Sequence, residues 1–390
     1  MNRGARKIFI SAGELSGELL AVALVKEMKK LDASIQFFGV AGDLLQAEGV
    51  ISIVHSKDLS VIGFGEVLGL LPKLVRFEEE IFRALDLIKP DIAILVDYPG
   101  FHLRLAPSIK VRQIKVVQYV APKVWAWGVR RVSKLRDHFD LILGVLPFEM
   151  DFFRLHKVPY KYVGSPHIDR VSLVESCSQA LEFKAGSALI ALLPGSRTGE
   201  IERLLIPLLQ VAEKLLEMDP NFRFVIPVAS GLDFDAILKK IIQYIKAPIS
   251  VKNGFADIGH IRVIKGKSLE VMKAADFAIV TSGTATLECA LLETPQIVIY
   301  KASMLSYSIG IRLLKVKWIG LVNLCAGREL AKEFVQHFDT SKIAEYIFEI
   351  LSNSDSLLKK KVELAELRKL FHGEAEALAS KEIFKLMESN

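Results

Sequence analysis

Cysteine is scarce in this chain, three in 390 residues. Cys177, Cys289 and Cys325 stand far apart, with no CxxC pair. That excludes a disulfide framework and fits a reducing compartment. The eight histidines form no HExxH or comparable ligand spacing, so no metal and no other cofactor is expected. No apolar run approaches the roughly 20 residues needed to span a bilayer. Met1 to Lys7 is basic and runs straight into a short apolar strand. It lacks the long apolar core of a signal peptide, and a cytoplasmic location is expected. Dense Lys/Arg clusters with interleaved aromatics are also missing, which argues against nucleic acid as a partner. Gly13 and Gly17 are spaced GxxxG rather than GxGxxG, so a dinucleotide fingerprint is not supported.

What is present is apolar and only mildly charged. Hydrophobic residues make up 51% and charged residues 25% of the chain, the composition of a folded protein. The length suggests two domains rather than one core. A net charge of +6 accompanies a mean hydropathy of +0.33. Together these favour contact with an anionic membrane surface, the alternative being a soluble protein with a large core.

Strand-like and helix-like patterns alternate throughout, the signature of an α/β chain with parallel sheets. Strands are expected at Lys7 to Ile10, Gln36 to Val40, Ile92 to Val96, Val116 to Val120 and Leu141 to Val145. A second series runs through Ala188 to Leu193, Phe222 to Pro227, Ile261 to Val263, Phe277 to Val280 and Gln296 to Tyr300. Each half opens strand, Gly-containing loop, helix, as a Rossmann-like unit does. The expected division is 1–165, 166–350, and a helical segment 351–390 that packs on either domain or on a partner chain, the last making a homodimer. Two such halves create a cleft at the carboxyl ends of their strands.

Candidate chemistry sits at those strand ends. Thr281-Ser282-Gly283-Thr284-Ala285-Thr286-Leu287-Glu288 places small hydroxylated residues where a strand hands over to a helix. Unpaired N–H groups and a positive dipole end suit a phosphate there, although Ser and Thr also cap ordinary helices. Glu288, one turn further in, is placed to take ribose hydroxyls. Pro194-Gly195-Ser196-Arg197 adds backbone donors, a hydroxyl and a guanidinium fork; a surface ion pair of Arg197 with Glu200 or Glu202 is the plain alternative. Asp97 ends an apolar strand and is a candidate general base, or else a turn cap. Glu14 and Glu18, spaced i,i+4, either share a helical face toward the cleft or serve as first-turn acids. Trp125 and Trp127, followed by Arg130 and Arg131, suit a lipid interface, as does the amphipathic stretch containing Ile62 and Phe64. Core tryptophans and a buried helix are the alternatives. A second basic-apolar stretch holds Arg312, Lys315, Lys317 and Trp318. Asp233 and Asp235 form a DxD but read as acids at a helix start.

Several motifs recur in a familiar order. They are Gly13-Glu14-Leu15-Ser16-Gly17-Glu18, Val96-Asp97-Tyr98-Pro99-Gly100-Phe101, Pro122-Lys123-Val124-Trp125-Ala126-Trp127, Leu146-Pro147-Phe148-Glu149, Val163-Gly164-Ser165-Pro166, Leu193-Pro194-Gly195-Ser196-Arg197 and Ser282-Gly283-Thr284-Ala285-Thr286-Leu287-Glu288. The series resembles the lipid-A-disaccharide synthase family from about residue 8 to about 336. The resemblance implies a GT-B fold of two Rossmann-like domains. It implies an inverting transfer from UDP-2,3-diacylglucosamine to 2,3-diacylglucosamine 1-phosphate, giving a β-1,6-linked disaccharide phosphate and UDP. It also implies metal-free catalysis by a peripheral protein on the cytoplasmic face of the inner membrane of Gram-negative bacteria.

By the same resemblance, Asp97, Glu14 and Arg197 are catalytic. Ser16, Gly17, Gly195, Ser196, Ser282, Gly283, Thr284, Glu288, Asn323 and Gln336 bind substrate. The family usually has Asp where Gly100 stands, Asn where His102 stands, His where Ser165 stands, Asp where Glu18 stands, and commonly Pro where Lys332 stands. Gly100 removes a second carboxylate from the proposed catalytic turn, which leaves Asp97 as the main candidate there. The rival readings are a soluble GT-B-like UDP-sugar epimerase and a nucleotide-sugar sensor without catalysis.

Overall fold

Residues 5–60, 67–184, 186–302, 307 and 316–389 are described by the computed structural model. The first sheet has seven strands: β1 (Lys7–Ala12), β2 (Gln36–Val40), β3 (Ile51–Val54), β4 (Ile92–Val96), β5 (Lys115–Tyr119), β6 (Leu141–Gly144) and β7 (Tyr160–Tyr162). All pairings are parallel, in the order β3-β2-β1-β4-β5-β6-β7. Ile92-Ala93-Ile94-Leu95-Val96 is wholly buried, as a strand covered by helices on both faces must be.

The second sheet has eight strands: β8 (Leu189–Leu193), β9 (Arg223–Val228), β10 (Ile249–Lys252), β11 (Phe255–Ile258), β12 (Ile261–Lys265), β13 (Phe277–Thr281), β14 (Gln296–Tyr300) and β15 (Glu333–Val335). Their order is β10-β11-β12-β9-β8-β13-β14-β15. The pairings are parallel except those of β11, which runs antiparallel to both β10 and β12 and forms with β10 a hairpin that extends one edge. Alternation along β8 builds two cores. Ile190 and Leu192 join the large cluster with Phe224, Ile226, Phe277 and Ile279, while Leu189, Ala191 and Leu193 face Val225, Ala278 and Val280 on the other side.

The chain forms two compact units, Met1–Pro166 with His372–Asn390, and His167–Phe371. The segment 351–390 thus does not travel as one piece. The Ser354–Arg368 helix packs on the Thr284–Leu291 helix of the second unit, and Arg368 donates to the Leu291 carbonyl at 2.8 Å. The Ala375–Glu388 helix packs instead on the Leu15–Leu31 helix of the first unit. There Tyr119 donates to Glu376 at 3.1 Å, Lys161 pairs with Glu382 at 2.8 Å, and Arg6 lies over the Phe384 ring.

Each sheet reverses its winding direction once, between β1 and β4 in the first and between β8 and β13 in the second. Loops leaving the carboxyl ends of such strand pairs diverge, and ligands of α/β sheets bind in the crevice this opens. The loops that carry Glu14, Asp97, Arg197 and Ser282 leave from these four strands.

Candidate active site

In the first unit, β1 leads through Gly13 and Glu14 into the Leu15–Leu31 helix, and β4 leads into Asp97 and Tyr98. Glu14 is the N-cap residue and exposed, as is Ser16. Gly17 is buried in the first turn, and a Cβ there would lie 3.4 Å from the Cβ of Asp97. An alanine there would meet Asp97 in ordinary van der Waals contact. Asp97 is half-buried.

The Asp97 and Tyr98 backbones both lie in the left-handed region, with φ of 52° and 45°. Such residues cost about 1–3 kcal/mol each when they are not glycine. Main-chain bonds hold the turn: Asp97 N–H donates to the Tyr119 carbonyl at 2.9 Å. The Asp97 carbonyl accepts from Gln118 Nε2 at 3.0 Å and from His102 Nδ1 at 2.6 Å. Pro99 then starts the Pro99–Val111 helix, where its missing N–H costs nothing. His102 is fully buried, and burial pushes its pKa down to about 4 against the raising effect of the Asp97 carbonyl. Burial, helped by the Glu14 charge, raises the Tyr98 phenol.

Glu18 does not share a face with Glu14 toward a ligand. It is buried, and its carboxylate accepts from Leu45 N–H at 3.0 Å, at the start of the Asp43–Ala47 helix.

Trp125 also departs from its expected role at a lipid interface. It is buried, its Nε1 donates to Glu149 at 3.0 Å, and its ring meets Phe148 edge-on at 4.9 Å. Glu149 also accepts from the Tyr160 hydroxyl at 3.3 Å. Burial pushes its pKa up to about 8, against the pull of Trp125, Tyr160 and the Lys123 charge, so it is protonated at neutral pH. Trp127, by contrast, is 66% exposed, and Arg130 and Arg131 beside it are exposed. Ile62 and Phe64 lie outside the described residues, as do Arg312 and Lys315. Lys317 lies over the Trp318 ring at 4.7 Å.

In the second unit the adjacent strands β8 and β13 deliver the two candidate phosphate loops side by side. Gly195 has φ of +120°, and a Cβ there would lie 2.3 Å from Glu200 Oε2. That oxygen accepts the N–H groups of Ser196 at 3.0 Å and Arg197 at 3.3 Å. Glu200 therefore shapes the loop from inside. Ser196 is exposed, and the Arg197 side chain is 74% exposed, resting 3.8 Å from Glu200.

Ser282 turns its hydroxyl inward, donating to the Ile319 carbonyl at 2.8 Å. The Thr286 hydroxyl donates to the Gly283 carbonyl at 2.8 Å and accepts from Leu321 N–H at 3.1 Å. Gly283 and Thr284 are exposed, so the first N–H groups of the Thr284–Leu291 helix open to solvent. One turn on, Glu288 accepts from Arg170 at 3.1 Å and His167 at 3.3 Å. Burial raises its pKa, but the His167 bond and the His167 and Arg170 charges outweigh this and leave it lowered.

Asn323 connects to this loop through Glu333 and Ile319, while Gln336 lies just past the end of β15. The Asn323 carbonyl accepts from Leu330 and Ala331 N–H, and its amide donates to the Ala331 carbonyl and to Glu333. Those bonds use all the amide's capacity. Glu333 in turn accepts the N–H groups of Ile319 and Gly320, each at 2.9 Å. Gln336 pairs with both main-chain groups of Ala302. Asn323 is fully buried, and its amide braces the turn around Leu330 and Glu333. Asp233 caps the Phe234–Ile245 helix, accepting from Ala236 N–H at 3.0 Å.

Two parallel α/β units, each with a loop pair at its switch point, define the two-domain GT-B class. Solved structures share that architecture at low identity. A putative UDP-N-acetylglucosamine 2-epimerase from Listeria monocytogenes aligns with a TM-score of 0.62 at 13% identity, over 99% of this chain and 98% of that one. A co-structure of S. aureus MnaA with UDP aligns at 0.60 and 13%, over 97% and 95%.

Sequence relatives are far closer. The chain is 38% identical over 368 residues to the lipid-A-disaccharide synthase of Syntrophus aciditrophicus, 93% of each protein. It is 36% identical over 345 residues to that of Myxococcus xanthus, 87% of each. The profile of lipid-A-disaccharide synthetases matches residues 8–386. The chain belongs to this family and is a glycosyltransferase of lipid A biosynthesis.

Proposed function

We propose that the chain transfers the sugar of UDP-2,3-diacylglucosamine to the 6-hydroxyl of 2,3-diacylglucosamine 1-phosphate, with inversion, in a single displacement. Asp97 accepts the proton of the attacking hydroxyl. Its carboxylate stands at the switch point of the first sheet, beside the first turn of the Leu15–Leu31 helix. Glu14 and Ser16, exposed at that helix start, contact the acceptor. In the second unit Arg197, free to swing from Glu200, and the N–H groups at Gly283 and Thr284 meet the charge that develops on departing UDP. Glu288 takes the ribose with its remaining carboxylate capacity, and in this reading no metal is required.

The same reading makes the protein peripheral on the cytoplasmic face of the inner membrane. Trp127, Arg130 and Arg131 meet anionic lipid there, with an indole at the interface and cations at the headgroups. Among the described residues no helix is long and apolar enough to cross a membrane.

The observation that carries the catalytic assignment is the left-handed turn that presents Asp97. Asp97→Asn tests it. Turnover should fall about 10²–10⁴-fold, the worth of a positioned general base, with UDP affinity unchanged. Turnover near wild type would show that the base lies elsewhere.

A further inference from the structure

We infer that His102 is a positioning residue for the reaction, holding Asp97 in its working orientation through the Asp97 main-chain carbonyl; the inference rests on the proposed role of Asp97. Asp97 and Tyr98 are consecutive non-glycine residues with positive φ. A turn of that kind relaxes unless its surroundings over-determine it. The neighbouring backbone supplies Asp97 N–H to the Tyr119 carbonyl and His102 N–H to the Tyr98 carbonyl, and the Tyr98 hydroxyl donates to the Leu59 carbonyl. At Asp97 itself two side chains converge on the carbonyl, Gln118 and His102.

His102 makes the shorter of these two bonds, and its geometry leaves one assignment of the ring. A carbonyl only accepts, so Nδ1 carries the proton. Nε2 is then the acceptor of the neutral ring, and the Ser11 hydroxyl, 2.9 Å away and buried at the end of β1, is its donor. Complete burial keeps the ring uncharged through the neutral range. The chain Ser11–His102–Asp97 thus runs from the end of β1, across the first turn of the Pro99–Val111 helix, to the end of β4. It joins the two paired strands whose departing loops diverge at the switch point. His102 itself is fully buried, so it has no surface with which to touch a substrate.

The two conservative amides separate this role from mere packing. The Nδ2 of Asn occupies the place of His Nδ1, and the Nε2 of Gln that of His Nε2. His102→Asn therefore keeps the donor to Asp97, and His102→Gln loses it. His102→Asn should retain turnover within about fivefold, while His102→Gln should lose about 10²-fold in kcat, the cost of a displacement near 1 Å. KM for both substrates and UDP affinity should stay within about threefold in each variant. Crystal structures should show the positive φ at Asp97 kept with Asn and lost with Gln.

Equal activity of the two variants, or a loss confined to KM, would overturn the inference. So would an unchanged Asp97 backbone in the Gln variant. Should His102→Gln not fold, Ser11→Ala gives the same reading: kcat falls with KM kept, and an unchanged kcat overturns it. If wild-type protein transfers no sugar, the reaction assignment fails, and the Asp97 backbone in the variant structures still decides the role of His102.

Discussion

Thr281 donates its hydroxyl to the main-chain carbonyl of Leu193 across 2.9 Å, in a buried setting. The two residues are the last of β13 and β8, and the bond ties together the strand ends from which both candidate phosphate loops depart. Thr281→Val keeps the shape and removes the donor. Losing this buried bond should cost about 0.5–1.5 kcal/mol of stability. Isothermal titration should show weaker UDP binding, and chemical denaturation should show the loss in stability. Full stability with full affinity would mean the strand ends are held by other contacts.

Glu288, the proposed ribose ligand, ties stability to acidity. Its folded-state pKa lies below the ordinary 4.5, so the folded protein holds fewer protons there than the unfolded chain. The stabilisation is complete above the ordinary carboxylate range. It fades as pH falls through the folded-state value. Glu288→Gln should flatten this acid limb in thermal melts between pH 3 and 5. It should also weaken UDP binding at pH 7, while an unacylated, ribose-free diphosphate should bind as before. A wild-type acid limb in the variant would show that other carboxylates set it.

Glu149 works in the opposite direction. Its pKa is raised from 4.5 to about 8, so between these values the folded state holds more protons than the unfolded one. Stability from this group therefore declines as pH rises across that window and is level above it. Glu149→Gln, a neutral near-isostere, should melt higher than wild type at pH 8–9, by about 2–4 °C for each kcal/mol recovered. At pH 5 the two proteins should melt alike. A lower melting point for the variant at pH 9 would show that the carboxylate is stabilised by its partners.

Much of the fold was legible because each parallel strand is a short apolar run bounded by loop residues. Gln36–Val40, Ile92–Val96 and Gln296–Tyr300 fall where the pattern places them. The β10–β11 hairpin was passed over although Asn253-Gly254 supplies a two-residue turn signal. Its strand Ile249–Lys252 is exposed along its length and so lacks a clear apolar face. β7 and β15 are too short to show a period.

In the site, sequence placed Asp97, Arg197 and Glu288 at strand ends or helix starts, because those positions follow from local pattern. It did not separate residues that present chemistry from residues that brace it. Asn323, Ser282 and Trp125 are committed to partners 7 to 37 positions away, and local pattern carries no trace of such bonds. Arg170 was missed for the same reason: its partner Glu288 is 118 positions distant.

Sugar transfer between the two acylated substrates, measured with the purified protein, tests the account most directly. UDP-2,3-diacylglucosamine and 2,3-diacylglucosamine 1-phosphate should yield UDP and a β-1,6-linked disaccharide phosphate, with UDP-N-acetylglucosamine a far poorer donor. Equal use of the unacylated donor, or UDP binding with no disaccharide formed, would contradict it.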